Sequence, residues 1–137
     1  MGLLYDDIST HNRIKFQMTL QHFVDYCSVK AGVTKEFPFD DTTLVLKVMG
    51  KMFALIAMDE AVPRVNLKCD PVYAAALRRK YHSVRAGYHM NKRHWNTIEL
   101  EGDVPEAELE EMIDDSYNLV VKGLPVRLKE QLNKTED

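Results

Sequence analysis

The sequence lacks the features that would place the chain in a membrane or direct it to secretion. No stretch of about 18 apolar residues occurs, so we expect no membrane-spanning segment. The first ten residues contain Asp6 and Asp7 and lack the basic start and apolar core of a secretory signal. Only two cysteines, Cys27 and Cys69, are present, and they form no CxxC pair. We therefore expect a soluble cytoplasmic protein whose thiols are small buried hydrophobic groups in a reducing compartment.

Catalytic motifs are also missing. The sequence contains no GxSxG, Walker loop, HExxH or GxGxxG pattern. The acid pairs at 40–41 and 114–115 do not indicate a carboxylate dyad, because neighbouring side chains of a helix do not face each other. His82, His89 and His94 lack the spacing that is typical of zinc ligands. The sequence thus predicts no enzyme, with no catalytic residue, metal or cofactor.

Helical periodicity appears in four places. Leu20, Phe23, Val24 and Cys27 follow the i, i+3, i+4, i+7 spacing, with Thr19 as N-cap. Asp70 and Pro71 begin a second helix, whose predicted buried stripe is Tyr73, Ala76 and Leu77 and whose last turn carries Arg78, Arg79 and Lys80. A capping box of Asp103 and Glu106 is expected to begin a third helix, which ends near Gly123. A short fourth helix is predicted at 126–132.

Strand patterns occur between these helices. Alternation or β-rich composition predicts strands near residues 33–37, 42–49, 51–58, 64–69 and 96–100, with a further short strand after Ser83. Gly50 indicates a hairpin turn, and 51–58 is apolar on both faces, as in a central strand. The expected fold class is α+β: two layers, with an antiparallel sheet of about five strands and helices packed against it. We expect an N-terminal extension at 1–17, a single domain at 18–133 and a polar tail at 134–137.

Charge is unevenly distributed along the chain. The net charge of the whole sequence is −3. The segment 61–95 nevertheless has eight basic residues and a single acid, Asp70, which gives a local charge of +7. The segment 99–115 has nine acids and no basic residue. A basic middle region points to an anionic partner, whereas the acidic helix does not.

The segment 87–97 carries the residues best suited to recognition. It places the only tryptophan, Trp95, beside Lys92, Arg93 and His94. Cations bind phosphate or carboxylate, and an aromatic ring offers a stacking surface. The alternative for Trp95 is packing at an edge of the core, which we favour because large aromatics are mostly buried. The polar side of the strand at 64–69 extends the predicted anion-binding surface, whose members are Arg64, Asn66, Lys68, Lys92, Arg93, His94 and Trp95.

Four segments give the sequence a family resemblance. They are EFPF at 36–39, TLVLKVMGKMFAL at 43–55, PRVNLKCDP at 63–71 and GYHMNKRHWNT at 87–97. They resemble the MmcQ/YjbR family of small bacterial proteins, and the resemblance runs from about residue 19 to residue 132. It implies an α+β "double-wing" fold, similar to type III secretion chaperones and CyaY-like proteins, with no catalytic residues. The family is labelled predicted DNA-binding.

Three functions stay open at this stage. DNA binding is supported by the +7 segment, the cluster at 92–95 and the family label, although most DNA-binding domains have a higher pI. A protein-interaction or chaperone-like role is suggested by the fold resemblance and the apolar residues at 37–39. Binding of a small anionic, phosphorylated ligand would use the same cations. The sequence does not indicate an oligomeric state.

Overall fold

The structure is a computed structural model, which describes residues 18–87 and 90–136. Its helices are α1 (Leu20–Ser28), α2 (Pro71–Lys80), α3 (Glu106–Lys122) and α4 (Val126–Glu136). Its strands are β1 (Val33–Glu36), β2 (Thr43–Val48), β3 (Lys51–Ala57), β4 (Arg64–Lys68), β5 (Val84–Ala86) and β6 (Trp95–Glu99). Within these residues, no helix combines the length and the apolar character needed to cross a membrane.

The six strands form one sheet in the order β1-β2-β3-β4-β6-β5, and every neighbouring pair is antiparallel. The β2–β3 hairpin turns at Met49 and Gly50, whose φ angles of 48° and 82° are both positive. Two successive positive φ angles are what a tight two-residue hairpin turn requires, and glycine adopts them without strain. The predicted hairpin and the interior position of β3 are confirmed.

The helices cover one face of the sheet. α3 packs across β2, β3 and β4, while α1 contacts β1 and α2 contacts β5 and β6. Leu44, Ile56, Val65, Ile98 and Val84 occupy matching positions on five adjacent strands, and all five are buried in the core under the helices. The predicted two-layer α+β architecture is confirmed, with six strands where about five were expected.

A serine from α3 completes the hydrogen bonding between β3 and β4. The last direct pair of these strands at this end is Ala54 with Leu67. One residue further on, the hydroxyl of Ser116 accepts a hydrogen bond from the Lys68 N–H at 2.9 Å and donates one to the Phe53 carbonyl at 2.6 Å. Ser116 is fully buried. The bridge gives a hydrogen-bond partner to two backbone groups that water does not reach.

Two details of α2 and α4 differ from the prediction. The buried stripe of α2 is Ala74 and Leu77, and Tyr73 is 37% exposed. Ala74, Leu77 and the following Tyr81 have the i, i+3, i+7 spacing, so this face of the helix meets the sheet instead. α4 is longer than predicted and continues to Glu136. The N-cap Thr19 of α1 is confirmed, because its side chain accepts a hydrogen bond from the His22 N–H.

The predicted capping box is wrong. α3 begins at Glu106 with Pro105 as its N-cap residue, and no side chain caps it. Asp103 instead accepts hydrogen bonds from the backbone N–H groups of His82 at 2.9 Å and Ser83 at 3.0 Å. Pro105 has an extended ψ of 150°, so the helix begins two residues later than the capping box requires. Asp103 therefore fixes the chain that enters β5.

The domain limits stay a prediction. The proposed extension at 1–17 lies outside the described residues. The predicted polar tail begins at residue 134, whereas α4 runs on to Glu136.

Candidate functional site

The structure divides the predicted anion-binding residues between two places. Arg64, Asn66 and Lys68 alternate with the buried Val65 and Leu67 along β4, so they lie on the sheet face away from the helices. Lys92, Arg93 and His94 belong to the turn that precedes β6. Arg93 lines a cleft against α2. Arg93 and Arg64 therefore line different clefts, and the predicted set as a whole stays a prediction.

The predicted binding surface along β4 is only partly basic. Arg64 is paired in register with Glu99 of β6, and both line an open cleft of about 250 Å³ with Arg85. Asn66 accepts a hydrogen bond from the Thr97 hydroxyl at 2.5 Å. An acidic side chain beside the two arginines reduces the attraction for an anion.

Trp95 lies opposite Lys68 in the β4–β6 pair. It is 8% exposed, so its ring offers little surface to a ligand. The interpretation of Trp95 as a packing residue is confirmed. Gly87 donates its N–H to the Trp95 carbonyl at 2.7 Å, and a side chain at Gly87 would place its Cβ 2.8 Å from the Trp95 Cβ. Glycine is required here because the two strands approach so closely.

A concentration of cations lies between α2 and the turn before β6. We call Arg78, Arg79, Lys92 and Arg93 the α2–turn surface. Its three arginines line an open cleft of about 450 Å³ together with Pro71, Val72 and Ala75, and this lining contains no acid. Arg79, Lys92 and Arg93 are exposed. Within residues 18–87 and 90–136, every ion pair uses histidine or lysine, so no arginine there is neutralised by direct pairing.

Arg78 holds this surface together. Its Nε donates a 2.7 Å hydrogen bond to Oδ1 of the buried Asn96, and its Nη2 donates to the Lys92 carbonyl. The turn itself is ordered by Asn91, whose side chain accepts from the Arg93 N–H at 3.0 Å and whose carbonyl accepts from the Trp95 N–H at 3.0 Å. The backbone that carries Lys92 and Arg93 is thus fixed relative to α2.

The sequence analysis missed Arg78 and Arg79 as site residues. It assigned them to the last turn of α2, where cations complement the helix dipole. The signal that could have identified them is the pairing of β4 with β6, which brings the turn before β6 to the end of β4, where α2 begins. The Cys69 N–H donates to the His94 carbonyl at 2.7 Å, immediately before the N-cap Asp70 of α2.

Neither cysteine is accessible as a nucleophile. Cys27 and Cys69 are free and buried, as predicted. Burial raises the pKa of the Cys27 thiol to about 12 and that of Cys69 to about 11. Both thiols are therefore protonated near neutral pH, and the thiolate is the nucleophilic form.

Of the histidines considered for a metal, His82 and His94 belong to no cluster of metal-ligating side chains within the described residues. His89 lies outside the described residues.

Comparison with known proteins gives consistent matches over most of the chain. A family model described as YjbR matches residues 29–119. The uncharacterized protein YjbR of Escherichia coli K12 is 34% identical over 108 residues, covering 79% of this chain and 92% of that protein. The uncharacterized protein YbdF of Escherichia coli O157:H7 is 37% identical over 122 residues, covering 89% and 93%. A crystal structure of a Deinococcus radiodurans protein with a DUF419 domain superposes with a TM-score of 0.79 at 37% identity, covering 87% and 90%.

Proposed function

We propose that this chain, which belongs to the YjbR family, binds the phosphate backbone of DNA through the α2–turn surface. The relatives compared above carry names that state no activity, so the proposal is argued from the geometry of that surface. The role is one of binding without catalysis. The observation that carries it is the convergence of Arg78, Arg79 and Arg93 on one cleft whose lining has no acid.

The chemistry of the cleft suits phosphate. Guanidinium groups present planar arrays of N–H donors that match phosphate oxygens through two hydrogen bonds. Arg78 is already held in place by Asn96, so binding costs less side-chain entropy there than at a free arginine. Arg79 and Arg93 are exposed and available for the ligand.

Four carboxylates of the acidic segment pair with side chains outside this surface. Three of them face α1: Glu106 and Glu110 contact His22, and Asp114 contacts Lys30. A fourth, Glu108, pairs with Lys80 at 3.6 Å. The overall negative charge therefore coexists with a locally basic binding surface.

Binding of a short labelled DNA duplex at increasing salt tests the proposal. Four cations at the interface predict that log K falls with log salt concentration with a slope of about −3 to −4. The double variant Arg79→Glu/Arg93→Glu should abolish binding. Its matched control is Arg64→Glu/Arg85→Glu, which makes the same charge change on the other sheet face and should bind far better.

Two results would contradict the proposal: no binding at low salt, or equal losses in both double variants. Thermal shifts with nucleotides and phosphorylated metabolites address the small-anion alternative. Stabilisation by a small anion that Arg79→Glu/Arg93→Glu abolishes, without duplex binding, would establish that alternative instead.

A second candidate function is protein interaction, which an exposed apolar patch favours. Phe37 is 50% exposed and Phe39 is 70% exposed in the β1–β2 loop. The β3–β4 loop lies beside it, since the Met58 N–H donates to the Thr42 carbonyl at 2.7 Å, and Met58 is exposed as well. Light scattering at rising concentration, with Phe37→Ser/Phe39→Ser for comparison, tests self-association. A strict monomer that captures no partner in a pull-down argues against this function.

A further inference from the structure

A histidine and two glutamates converge at the N-terminal ends of α1 and α3. His22 Nε2 lies 3.1 Å from Glu106 Oε1 and 3.1 Å from Glu110 Oε2. One ligand atom from each of the three side chains lies within 4.8 Å of the others. Glu106 and Glu110 are four residues apart, so they share one face of α3.

Neighbouring contacts fix this arrangement. The Tyr26 hydroxyl donates to Asp114 at 3.0 Å, and the Lys30 ammonium contacts the same carboxylate. α1 and α3 therefore run side by side in the same direction, with His22 at the level of Glu110. The His22 ring also stacks on the Tyr26 ring, with centroids 6.2 Å apart and planes 16° apart. The imidazole is oriented by a neighbour that does not belong to the cluster.

The two distances from His22 Nε2 fit ligand atoms around a common point. Two ligand atoms that each lie about 2.1 Å from one ion are about 3.0–3.4 Å apart when the angle at the ion is near 90–110°. Both distances from His22 Nε2 fall in this range. The imidazole has at most one proton on Nε2, which the two carboxylates would have to share, whereas an ion between the three groups would contact each of them directly.

We propose that His22, Glu106 and Glu110 form a binding site for a divalent transition-metal ion. Imidazole with two carboxylates suits zinc or manganese. The side chains are 42%, 31% and 32% exposed, so water completes the coordination shell. The bound ion would cross-link α1 to α3 across more than 80 residues of sequence and would stabilise the fold, independently of whether the α2–turn surface binds DNA.

Calorimetric titration of the full chain, stripped with EDTA, with zinc chloride and manganese chloride tests this site. We expect saturable binding and a rise in the melting temperature with the preferred ion. His22→Gln and Glu110→Gln should each weaken binding by roughly tenfold or more, as loss of even a supporting contact can do. Glu111→Gln on the same helix and the exposed His82→Gln are the matched controls and should bind like the wild type.

Other outcomes overturn the proposal. Absence of saturable binding by either ion would show that His22 is simply hydrogen-bonded to the two carboxylates. Equal affinity in His22→Gln, Glu110→Gln and the controls would place the ion elsewhere on the chain. Far-UV circular dichroism of each variant separates a lost ligand from a lost fold.

Discussion

The Nε of Arg78 donates a 2.7 Å hydrogen bond to Oδ1 of Asn96, which joins the last turn of α2 to β6. Asn96 is only 2% exposed, and its amide nitrogen lies 3.4 Å from the Ala74 carbonyl on the same helix. One buried amide therefore sets the position of a guanidinium group in the α2–turn surface.

Replacing Asn96 tests this link. Asn96→Ala removes the side-chain partner of the Arg78 Nε–H and of the buried Ala74 carbonyl. We therefore expect the free energy of unfolding to fall by about 1–3 kcal/mol. Urea denaturation measures the loss, and Asn118→Ala on the exposed face of α3 is the control. DNA affinity should also fall, because Arg78 is no longer held. An unchanged stability would show that the bond contributes nothing.

The Ser116 bridge predicts a second loss of stability. Ser116→Ala removes both the acceptor for the Lys68 N–H and the donor to the Phe53 carbonyl in a fully buried place. We expect a destabilisation of about 1–3 kcal/mol in urea denaturation. Ser28→Ala is a suitable comparison, since that hydroxyl bonds only to the Val24 carbonyl within its own helix. Equal effects of the two substitutions would contradict a special role for Ser116.

Much of the fold follows from local sequence signals. Thr19, Gly50 and the alternation at 64–68 predict a cap, a turn and a strand that the structure contains. The capping-box error arises because a distant part of the chain competes for the same side chain. Asp103 and Glu106 have the spacing of a capping box, but the backbone of His82 and Ser83, some twenty residues earlier, takes the carboxylate. No local pattern reports such a donor.

The pH dependence of stability should show the role of Asp103. Burial alone would raise the pKa of Asp103, but hydrogen bonds from Ser83 and His82 outweigh it and lower the pKa from 3.8 to about 2. This contribution is therefore present above pH 4 and disappears as the pH falls toward 2. Asp103→Asn should lower the free energy of unfolding near neutral pH by about 1 kcal/mol or less, because the group is largely exposed. In urea denaturation series the gap to the wild type should close in acid; a constant gap would refute the assignment.

Gly87 provides a test of the close contact with Trp95. Gly87→Ala places a methyl group 2.8 Å from the Trp95 Cβ and 2.9 Å from its carbonyl oxygen. A clash with backbone and an adjacent Cβ should destabilise the domain by about 1–3 kcal/mol. Gly123→Ala is the control, because its nearest neighbour is 3.6 Å away. Thermal unfolding should separate the two variants, and equal melting temperatures would count against the constraint.

The site was harder to predict than the fold. Lys92 and Arg93 stand out in the sequence because they closely precede a tryptophan. Arg64 and Lys68 stand out because they alternate with apolar residues. Sequence separation conceals that Arg78 and Arg93 line the same cleft. That meeting depends on the path of the chain from β4 into α2 and back through β6. The cluster of His22 with two glutamates is hidden for the same reason, since its members come from opposite ends of the chain.

The position of α3 has a consequence for synthesis of the protein. This helix lies in the middle of the helical layer, against β2, β3 and β4, yet it is encoded after all six strands. Until residues 106–122 have left the ribosome, Leu46, Ile56 and Leu67 have no cover from α3. A nascent chain arrested before that point exposes the apolar face of the sheet, which makes it a substrate for chaperones and prone to aggregation.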